Sequence, residues 1–515
     1  MPPLSLPLPP IVAGGLVIAT AGCGLFSGDD DIEGPPPEPD DVQFGSSEEF
    51  VREVNLFHSA DNVPAEVAVE AVEATYESTA LYLSLTNPEQ TRSSSDMNVD
   101  LTQPFLFDPI SGRGYLGNED AGSADVNTSN VDFFADVTNV LRFYYPPLPQ
   151  DVEYVTFFGI GVGAMSGIPV ERVQERRPEP EPGIEGDEAA DRNPDPGETL
   201  VWPAPELDHD AEHRIFDTEG FVEGEGASLT RDGDEETIAL SADVLFDFDD
   251  ADLTDEAADL ISDTAESIDQ HSTEAGTLMV TGHTDGVGDD DYNDTLSEER
   301  AEAVADELES LLSADLDVHV EGLGSSDPLV EEEGEDDEEA RERNRRVELT
   351  YAATAVSSSD TAQDSGIAAA ERHVADPASY RADLGESVET LQHEGFQLDV
   401  YPLLRDGAHV LAEVEMTNTT EGVAQPELES SRTGAGGSGE QLDAFRLHEQ
   451  ESDLMRYPLV MRTADGQEEL FAETPRDFDP GESHRLAVVF PAPAPDTSEV
   501  TLDAGPFGEA PVPIE

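Results

Sequence analysis

An extreme excess of acid constrains this chain more than any other feature of its sequence. Its 515 residues include 117 aspartates and glutamates but only 24 basic side chains, all of them arginine, for a formal net charge of −93. A stable fold must therefore keep most carboxylates in solvent and use arginine for its structural cations. This surface excludes nucleic acid as a partner, because binding a phosphate backbone needs a basic face.

Three interpretations of the acid excess compete: disorder, extensive calcium binding, or adaptation to a high-salt medium. At about 1 M salt, charges are screened within roughly 3 Å, so self-repulsion is largely removed. The acidic residues here occupy the polar positions of helices and strands that keep a periodic apolar set, which a disordered acidic chain lacks. The distribution favours a halophilic protein, so the charge describes habitat more than function.

The N-terminus predicts export and lipid attachment. Residues 11–22 form an apolar run too short to span a bilayer but of the length of a signal-peptide core. The stretch Ala19 to Cys23 resembles the lipobox of bacterial lipoproteins, which implies cleavage after 1–22 and lipidation of Cys23. Residues 23–50 are then an acidic, proline-rich spacer. The predicted location is the cell envelope, as a membrane-anchored lipoprotein, in the outer membrane if the cell has two membranes.

Two β-rich regions, 51–170 and 391–515, share sequence cues in the same order. Each has a strand of alternating apolar residues that ends in Thr-Asn, then an aromatic strand that runs into a proline cluster. We interpret them as duplicated Ig-like β-sandwiches. Composition predicts an acidic, proline-rich linker at 171–235, with one hairpin near Arg214 to Leu229, and a second linker at 354–390.

The intervening region, 236–353, alternates strand and helix patterns. A strand is predicted with Val244, Phe246 and Phe248 on one face, followed by a helix capped by Thr254. A second strand, TLMVTGHTDG, leads through a polar loop to a helix for which Ser297 is a good N-cap. Strands around Val318 and Val347 complete a β-α-β-α-β-β outline.

Four blocks in this region carry a family resemblance. GHTDGVG, NDTLSEERAEAV, VEGLGSSDP and RERNRRVEL occur in the order and spacing of the OmpA-like C-terminal, peptidoglycan-binding family. The fold class is then multidomain, α+β and all-β, with an OmpA-like module at 236–353 flanked by two β-sandwiches. The resemblance implies non-catalytic binding of peptidoglycan through the diaminopimelate of its stem peptide, with no cofactor and no metal.

A free amino-acid head presents an ammonium and a carboxylate, so a binder needs one anion and one bidentate cation at matching separation. Asp285 follows a strand and Arg300 lies three residues after Ser297, which places both at one rim beside a helix N-terminus. By resemblance, Asp285 takes the ammonium and Arg300 the carboxylate. Further family binding positions are matched by Thr284, Gly286, Asn293 and Arg341, whereas Asn344 and Arg345 are predicted to fix the last strand.

The chain departs from the family pattern just before its final block. Ala340 stands where the family has glycine, and EEEGEDDEEA, at 331–340, replaces a loop that is normally neutral. This acidic insertion lies beside Arg341 in sequence. It therefore changes the charge next to one predicted ligand-binding residue.

Two other functions remain open on sequence grounds. The chain could be an envelope adhesion or scaffold protein whose Ig-like regions bind envelope partners. The segment HDAEH also matches a zinc-peptidase pattern at His209, Glu212 and His213, but its flanks cannot build the long helix such a site needs. No nucleophile elbow, phosphate-binding glycine loop or Cys-His arrangement is present, so no enzyme is predicted.

Overall fold

β-Strands are the main secondary structure of the residues that the structure describes, and they pack around apolar cores, as the alternating hydrophobic patterns predict. No helix in the described part is long and apolar enough to cross a membrane. The predicted signal peptide, Cys23, the spacer and the HDAEH segment lie outside the described residues. In this computed structural model the described residues are 50–56, 63–88, 98–100, 104–117, 130–132, 134–159, 161–177, 194–202, 214–273, 276–330, 332, 338–353, 356–357, 373–428, 442–450, 452–462, 468–470 and 477–515.

The N-terminal β-rich region is built from short and medium strands in an antiparallel arrangement, apart from a few parallel edge pairings. Its strands are β1 (Val51–Leu56), β2 (Val63–Ala74), β3 (Thr79–Thr86), β4 (Asn98–Asp100), β5 (Phe105–Asp108), β6 (Arg113–Leu116), β7 (Asn130–Asp132), β8 (Thr138–Tyr145), β9 (Tyr154–Gly159), β10 (Gly163–Arg172) and β11 (Thr199–Val201).

The middle region combines sheet and helix. Its elements are β12 (Ile215–Gly224), β13 (Ala227–Asp232), β14 (Glu235–Ser241), α1 (Ala242–Leu245), α2 (Asp255–His271), β15 (Thr277–His283), α3 (Asp290–Leu311), β16 (Asp317–Gly324), α4 (Glu338–Asn344) and β17 (Arg346–Ala352). Strands pair in the order β13-β14-β17-β15-β16, with only β15–β16 parallel. Helices α2 and α3 share one core with this sheet.

The C-terminal region is again almost entirely β-sheet. Its strands are β18 (Val356–Ser357), β19 (His373–Val374), β20 (Glu389–His393), β21 (Phe396–Val400), β22 (Leu404–Asp406), β23 (His409–Asn418), β24 (Arg446–Glu449), β25 (Leu454–Arg456), β26 (Val460–Arg462), β27 (Glu468–Leu470), β28 (Ser483–Pro491), β29 (Glu499–Asp503) and β30 (Glu509–Pro513). Two short 3-10 helices occupy Leu442–Ala444 and Gly505–Phe507.

The two β-rich regions repeat one order of strand pairing. In the first, β1-β2-β3-β8 and β6-β5-β9-β10 form two antiparallel layers around one core. In the second, β20-β21-β23-β28 and β25-β24-β29-β30 form the matching layers. This is the order that duplicated sandwiches would have, whereas their assignment as Ig-like stays a prediction.

Strand β12 connects all three regions. Its first residues pair with β6, its middle and end pair with β26 and β25, and its second half forms a hairpin with β13. That hairpin confirms the one predicted near Arg214 to Leu229. The interval 171–235 is nevertheless not a simple linker, because β11, β12 and β13 lie in it and contribute to the sheets. The reason is that short apolar positions inside an acidic segment, such as Val222 and Leu229, pack into the core of the middle region.

The interval 354–390 also differs from the predicted linker. Ala378 is buried in a cluster that joins the two β-rich regions, and its N–H donates to Asp406. The ring of Tyr380 packs on that of Phe50 at 5.3 Å. The described residues between 50 and 515 accordingly belong to a single compact unit.

The predicted β-α-β-α-β-β order of the middle region is present, except that the short helices α1 and α4 were not predicted and α4 separates the last two strands. The first strand is Glu235–Ser241, and the predicted strand through Val244 is instead the helical turn α1. Phe246 is buried, whereas Phe248 is fully exposed. Thr254 caps α2 as predicted, since its side chain accepts from the N–H of Ala257 at 3.0 Å.

Helix α3 begins seven residues before Ser297, with Asp289 at its N-cap. Ser297 is buried inside the helix, where its hydroxyl accepts from the N–H of Gly324 at 2.9 Å. The helix packs so closely on β15 and β16 that a Cβ on Gly282 or Gly322 would lie 2.0 or 2.5 Å from helix backbone atoms. Ser297 is therefore a packing residue, and the aspartates at 289–291 begin the helix, where its dipole favours negative charge.

Candidate ligand-binding site

Asp285 lies in the loop between β15 and α3. Its Oδ1 accepts from the N–H of Val287 at 3.1 Å, which holds the carboxylate in a local turn. Its Oδ2 accepts from Nη1 of Arg345 at 2.8 Å, and the side chain is 17% exposed. Asp285 is thus a fixed, partly accessible carboxylate, and among the described contacts its cationic partner is Arg345 rather than Arg300.

Arg345 links Asp285 to two further acids. Its Nε and Nη2 donate to the two carboxylate oxygens of Asp243 at 2.9 and 2.7 Å, and Nη2 also donates to Glu338 at 3.1 Å. The hydrogen bonds that Arg345 donates to Asp243 and Asp285 raise the pKa of Arg345 above its usual value. The sequence predicted that Arg345 fixes the last strand, whereas the structure places its side chain on Asp285 and Asp243, and Asp243 was not singled out at all. The adjacent arginines of the RERNRR run give no local signal for which of them turns toward Asp285.

Arg300 lies on α3, more than two turns after the start of the helix, and is only 6% exposed. Its Nε donates to the carbonyl of Asp250 at 3.0 Å, and its guanidinium lies 5.1 Å from the centre of the Phe246 ring. Its terminal nitrogens donate to no residue that the structure describes. Burial lowers the pKa of Arg300, and the nearby Arg345 lowers it further while Asp243 opposes this.

The prediction that Arg300 lies beside a helix N-terminus that favours the ligand carboxylate is wrong, because Arg300 is well inside α3. Asp285 and Arg300 instead both interact with a second charged pair, Asp243 and Arg345. Arg345 bonds to Asp285, and the charges of Asp243 and Arg345 both act on Arg300. The structure therefore brings the predicted pair into one electrostatic cluster without a direct bond between them.

Thr284 and Asn293 shape the loop that carries Asp285. Both are buried; the Thr284 N–H donates to the carbonyl of Gly324 at 2.9 Å, and its hydroxyl donates to that of Asp285 at 3.0 Å. The Asn293 amide lies 3.4 Å from the carbonyls of Asp285 and Val287. These contacts position the loop, so any direct contact of the two side chains with a ligand stays a prediction.

Gly286 and Arg341 meet at a third acid, Glu332. The Gly286 N–H donates to Oε1 of Glu332 at 2.8 Å, and Nε of Arg341 lies 3.7 Å from its Oε2. Arg341 also donates to Glu338 at 3.2 Å. Asn344 donates to the carbonyl of Val330 at 2.8 Å and accepts from its N–H at 2.9 Å. Asn344 thus fixes the loop before the last strand, whereas the sequence predicted that it fixes the strand itself.

An open cleft adjoins this cluster on the side of the β12–β13 turn. Its volume is about 470 Å³, and Asp243 and Arg345 form part of its wall. Gly224 and Gly226 of the turn line it, together with Arg343 of α4. The cleft therefore has one wall from outside the β-α-β-α-β-β module.

The buried His283 lies beside a half-buried carboxylate, Glu348, in the same sheet as the site. His283 is 1% exposed, and its Nε2 is 3.5 Å from Glu348, which also accepts from Nε of Arg346 at 2.6 Å. Burial raises the pKa of Glu348, but contact with His283 and the charge of Arg346 outweigh it and lower the pKa from 4.5 to about 2. A lowered pKa means that this carboxylate stabilises the fold above its unfolded pKa and loses that effect as the pH falls toward 2.

Replacing Glu348 with glutamine should remove part of the acid sensitivity of folding. In the parent chain, Glu348 contributes up to about 3 kcal/mol of stability at pH 6 that is lost between roughly pH 5 and pH 2. Denaturant unfolding at pH 6 and pH 3 should show a smaller pH difference for Glu348→Gln. The control is Glu321→Gln on the exposed part of β16. An equal pH difference in the parent and Glu348→Gln would contradict the assignment.

Comparison with known proteins identifies the module. Residues 245–345 match the model of the OmpA family. The chain is 31% identical over 132 residues to the probable lipoprotein YiaD of Escherichia coli, covering 25% of this chain and 57% of that protein. It is 33% identical over 112 residues to outer membrane protein A of Bordetella avium, covering 22% of this chain and 55% of that protein. The chain spans little more than half of these relatives, and residues 245–345 are an OmpA family domain.

Two solved structures also resemble part of the chain. The cell wall anchor of the T6SS from Pseudomonas aeruginosa is 28% identical and covers 25% of this chain and 90% of that one, with a TM-score of 0.22. The peptidoglycan-associated lipoprotein from Burkholderia pseudomallei is 31% identical and covers 21% of this chain and 87% of that one, with a TM-score of 0.18.

Proposed function

We propose that this chain binds peptidoglycan without catalysis, through the diaminopimelate head of the stem peptide. The observation that carries the proposal is the state of Arg300. Its guanidinium is held by the Asp250 carbonyl and the Phe246 ring, while its terminal nitrogens donate to no described residue. A planar fork that is already fixed loses little freedom when it binds a carboxylate bidentately. Membership of residues 245–345 in the OmpA family supports this choice of ligand.

Asp285 is the proposed partner of the ligand ammonium. A carboxylate offers about four lone-pair positions. In the structure Oδ1 accepts from one N–H and Oδ2 from Arg345, so an ammonium can join without displacing either donor. The ligand would then place its ammonium on Asp285 and its carboxylate on Arg300, on two sides of the Asp243–Arg345 pair.

The wider role we propose is a tether between a membrane and the cell wall. The lipid attached to Cys23 would anchor the chain in the envelope, at the outer membrane of a cell with two membranes. The similarity to a probable lipoprotein and to outer membrane proteins supports this location. The flanking β-rich regions would hold the module at a set distance, since β12 pairs with strands of both. Envelope partners of those regions are part of the same proposal.

The test is sedimentation of the full chain with purified sacculi in 1 to 2 M salt, where the charge of −93 is screened. We expect at least about tenfold weaker binding to walls with lysine in place of diaminopimelate, because lysine lacks the side-chain carboxylate that Arg300 takes. Equal binding to both walls would contradict the diaminopimelate assignment. No binding to either would favour an adhesion or scaffold role for the β-rich regions.

The full chain is the right material for this test. Strand β13 pairs along its whole length with β14, the first strand of the module. Val222 and Leu454, from outside 236–353, are buried in the module's core. A fragment limited to 236–353 would expose these packed surfaces, so its failure to bind would say little about the site.

A further inference from the structure

Glu332, in the acidic insertion, is bound as a ligand carboxylate would be. Its Oε1 accepts from the backbone N–H of Gly286 at 2.8 Å and from Nδ2 of Asn344 at 3.0 Å. Its Oε2 lies 3.7 Å from Nε of Arg341, and the side chain is 19% exposed. A backbone amide, a side-chain amide and a guanidinium from two separate segments thus converge on one carboxylate.

These donors adjoin the proposed ammonium site. Gly286 directly follows Asp285, and Asn344 directly precedes Arg345, the residue that holds Asp285 at 2.8 Å. A Cβ on Gly286 would lie 3.1 Å from Oε2 of Glu332, which is tighter than ordinary contact. The absence of a side chain at position 286 therefore lets a carboxylate approach the backbone closely. Two of the donors, Gly286 and Arg341, are positions for which sequence resemblance predicts a ligand.

We infer that Gly286, Asn344 and Arg341 form a second carboxylate-binding site, which Glu332 fills in the free protein and a carboxylate of the wall peptide fills in the complex. This inference rests on the proposed function. The exchange replaces one carboxylate by another and makes no covalent bond. The ligand class it specifies is a peptide with a second carboxylate near the amino-acid head held by Asp285 and Arg300.

An internal competitor lowers the apparent affinity for the external ligand, because only the fraction of molecules with the site open can bind. Glu332 competes at the high effective concentration of a group on the same chain. A purely structural Glu332 would act in the opposite sense, since its loss would loosen Arg341 and Asn344. The sign of the effect of removing Glu332 therefore separates the two roles.

The experiment compares Glu332→Ala with Glu321→Ala in the full chain. Glu321→Ala is the control, because it removes the same charge from an exposed position on β16, outside the proposed site. We expect sacculi to bind Glu332→Ala at least about fivefold more tightly than the parent, and Glu321→Ala to stay within about twofold of it. Thermal unfolding of each variant checks that the fold is intact.

Each result decides the inference. Weaker or unchanged binding by a folded Glu332→Ala chain, while the parent binds, would overturn the inference and leave the proposed function standing. An equal gain in both variants would mean that only net charge matters, which also overturns it. Binding by Glu332→Ala alone would support it. No binding by the parent or by Glu332→Ala would reject the proposed function together with the inference.

Discussion

Replacing Arg300 with alanine is expected to reduce binding of the full chain to diaminopimelate-containing sacculi by more than about a hundredfold. The change removes both charge-assisted hydrogen bonds to the ligand carboxylate, each worth roughly 1.5 to 3 kcal/mol. Arg300→Lys should lose about tenfold, because an ammonium keeps the charge but not the planar fork. Sedimentation with sacculi at fixed high salt measures both effects.

Two controls make this result specific. Arg113→Ala removes the same charge from the N-terminal region, where Arg113 pairs with Asp217 at 2.8 Å and is 39% exposed, and should bind as the parent does. Because Arg300 is buried and bonded to the Asp250 carbonyl, circular dichroism and thermal unfolding must show that the variants are folded. Parent-like binding by a folded Arg300→Ala chain would remove Arg300 from the site.

Replacing Glu413 with alanine is expected to lower the free energy of unfolding by about 3 to 5 kcal/mol, because it leaves a buried guanidinium unpaired. Nη1 of Arg52, on β1, lies 3.0 Å from Glu413, on β23, and their side chains are 1% and 4% exposed. Arg52 also donates to the carbonyls of Ala164 and Arg381 at 2.8 Å. The pair therefore joins the two β-rich regions, and its loss should be seen in denaturant unfolding.

The reference for this change is Glu53→Ala, an exposed glutamate on the same strand as Arg52, which should alter stability by no more than about 0.5 kcal/mol. The double variant Arg52→Met with Glu413→Leu should recover much of the loss, since no buried charge then lacks a partner. If Glu413→Ala unfolds at the same denaturant concentration as Glu53→Ala, the pair does not stabilise the contact between the regions.

Much of the fold follows from local pattern. The Thr254 cap and the strands β3 and β23 appear in the structure where the sequence predicts them. Each depends on residues within a turn or two of one another, so periodicity is enough to find them. The start of α3 is the exception. Ser297 has the side chain of a good N-cap, but close packing of the helix on Gly282 and Gly322 buries it.

Composition could not reveal which of the many carboxylates are buried and paired with arginine. Most carboxylates are on polar faces, yet Glu413, Glu236 and Glu449 are nearly buried and each pairs with an arginine. The partners Arg231 and Glu236 are close in sequence, whereas Arg52 and Glu413 are 361 residues apart. The number of arginines limits how many such pairs can form, but only the contact of distant strands decides which ones do.

Sequence patterns alone are enough to find the module, its position in the chain, and Asp285 and Arg300 as its candidate binding residues. The folded structure is needed to see that Arg345 holds Asp285, that Glu332 lies on Gly286 and Asn344, and that β12 connects three regions. Family blocks and periodicity are local features, whereas every carboxylate in an acidic chain has the same chemistry. Which of them meets a given arginine depends on where the folded backbone brings them together.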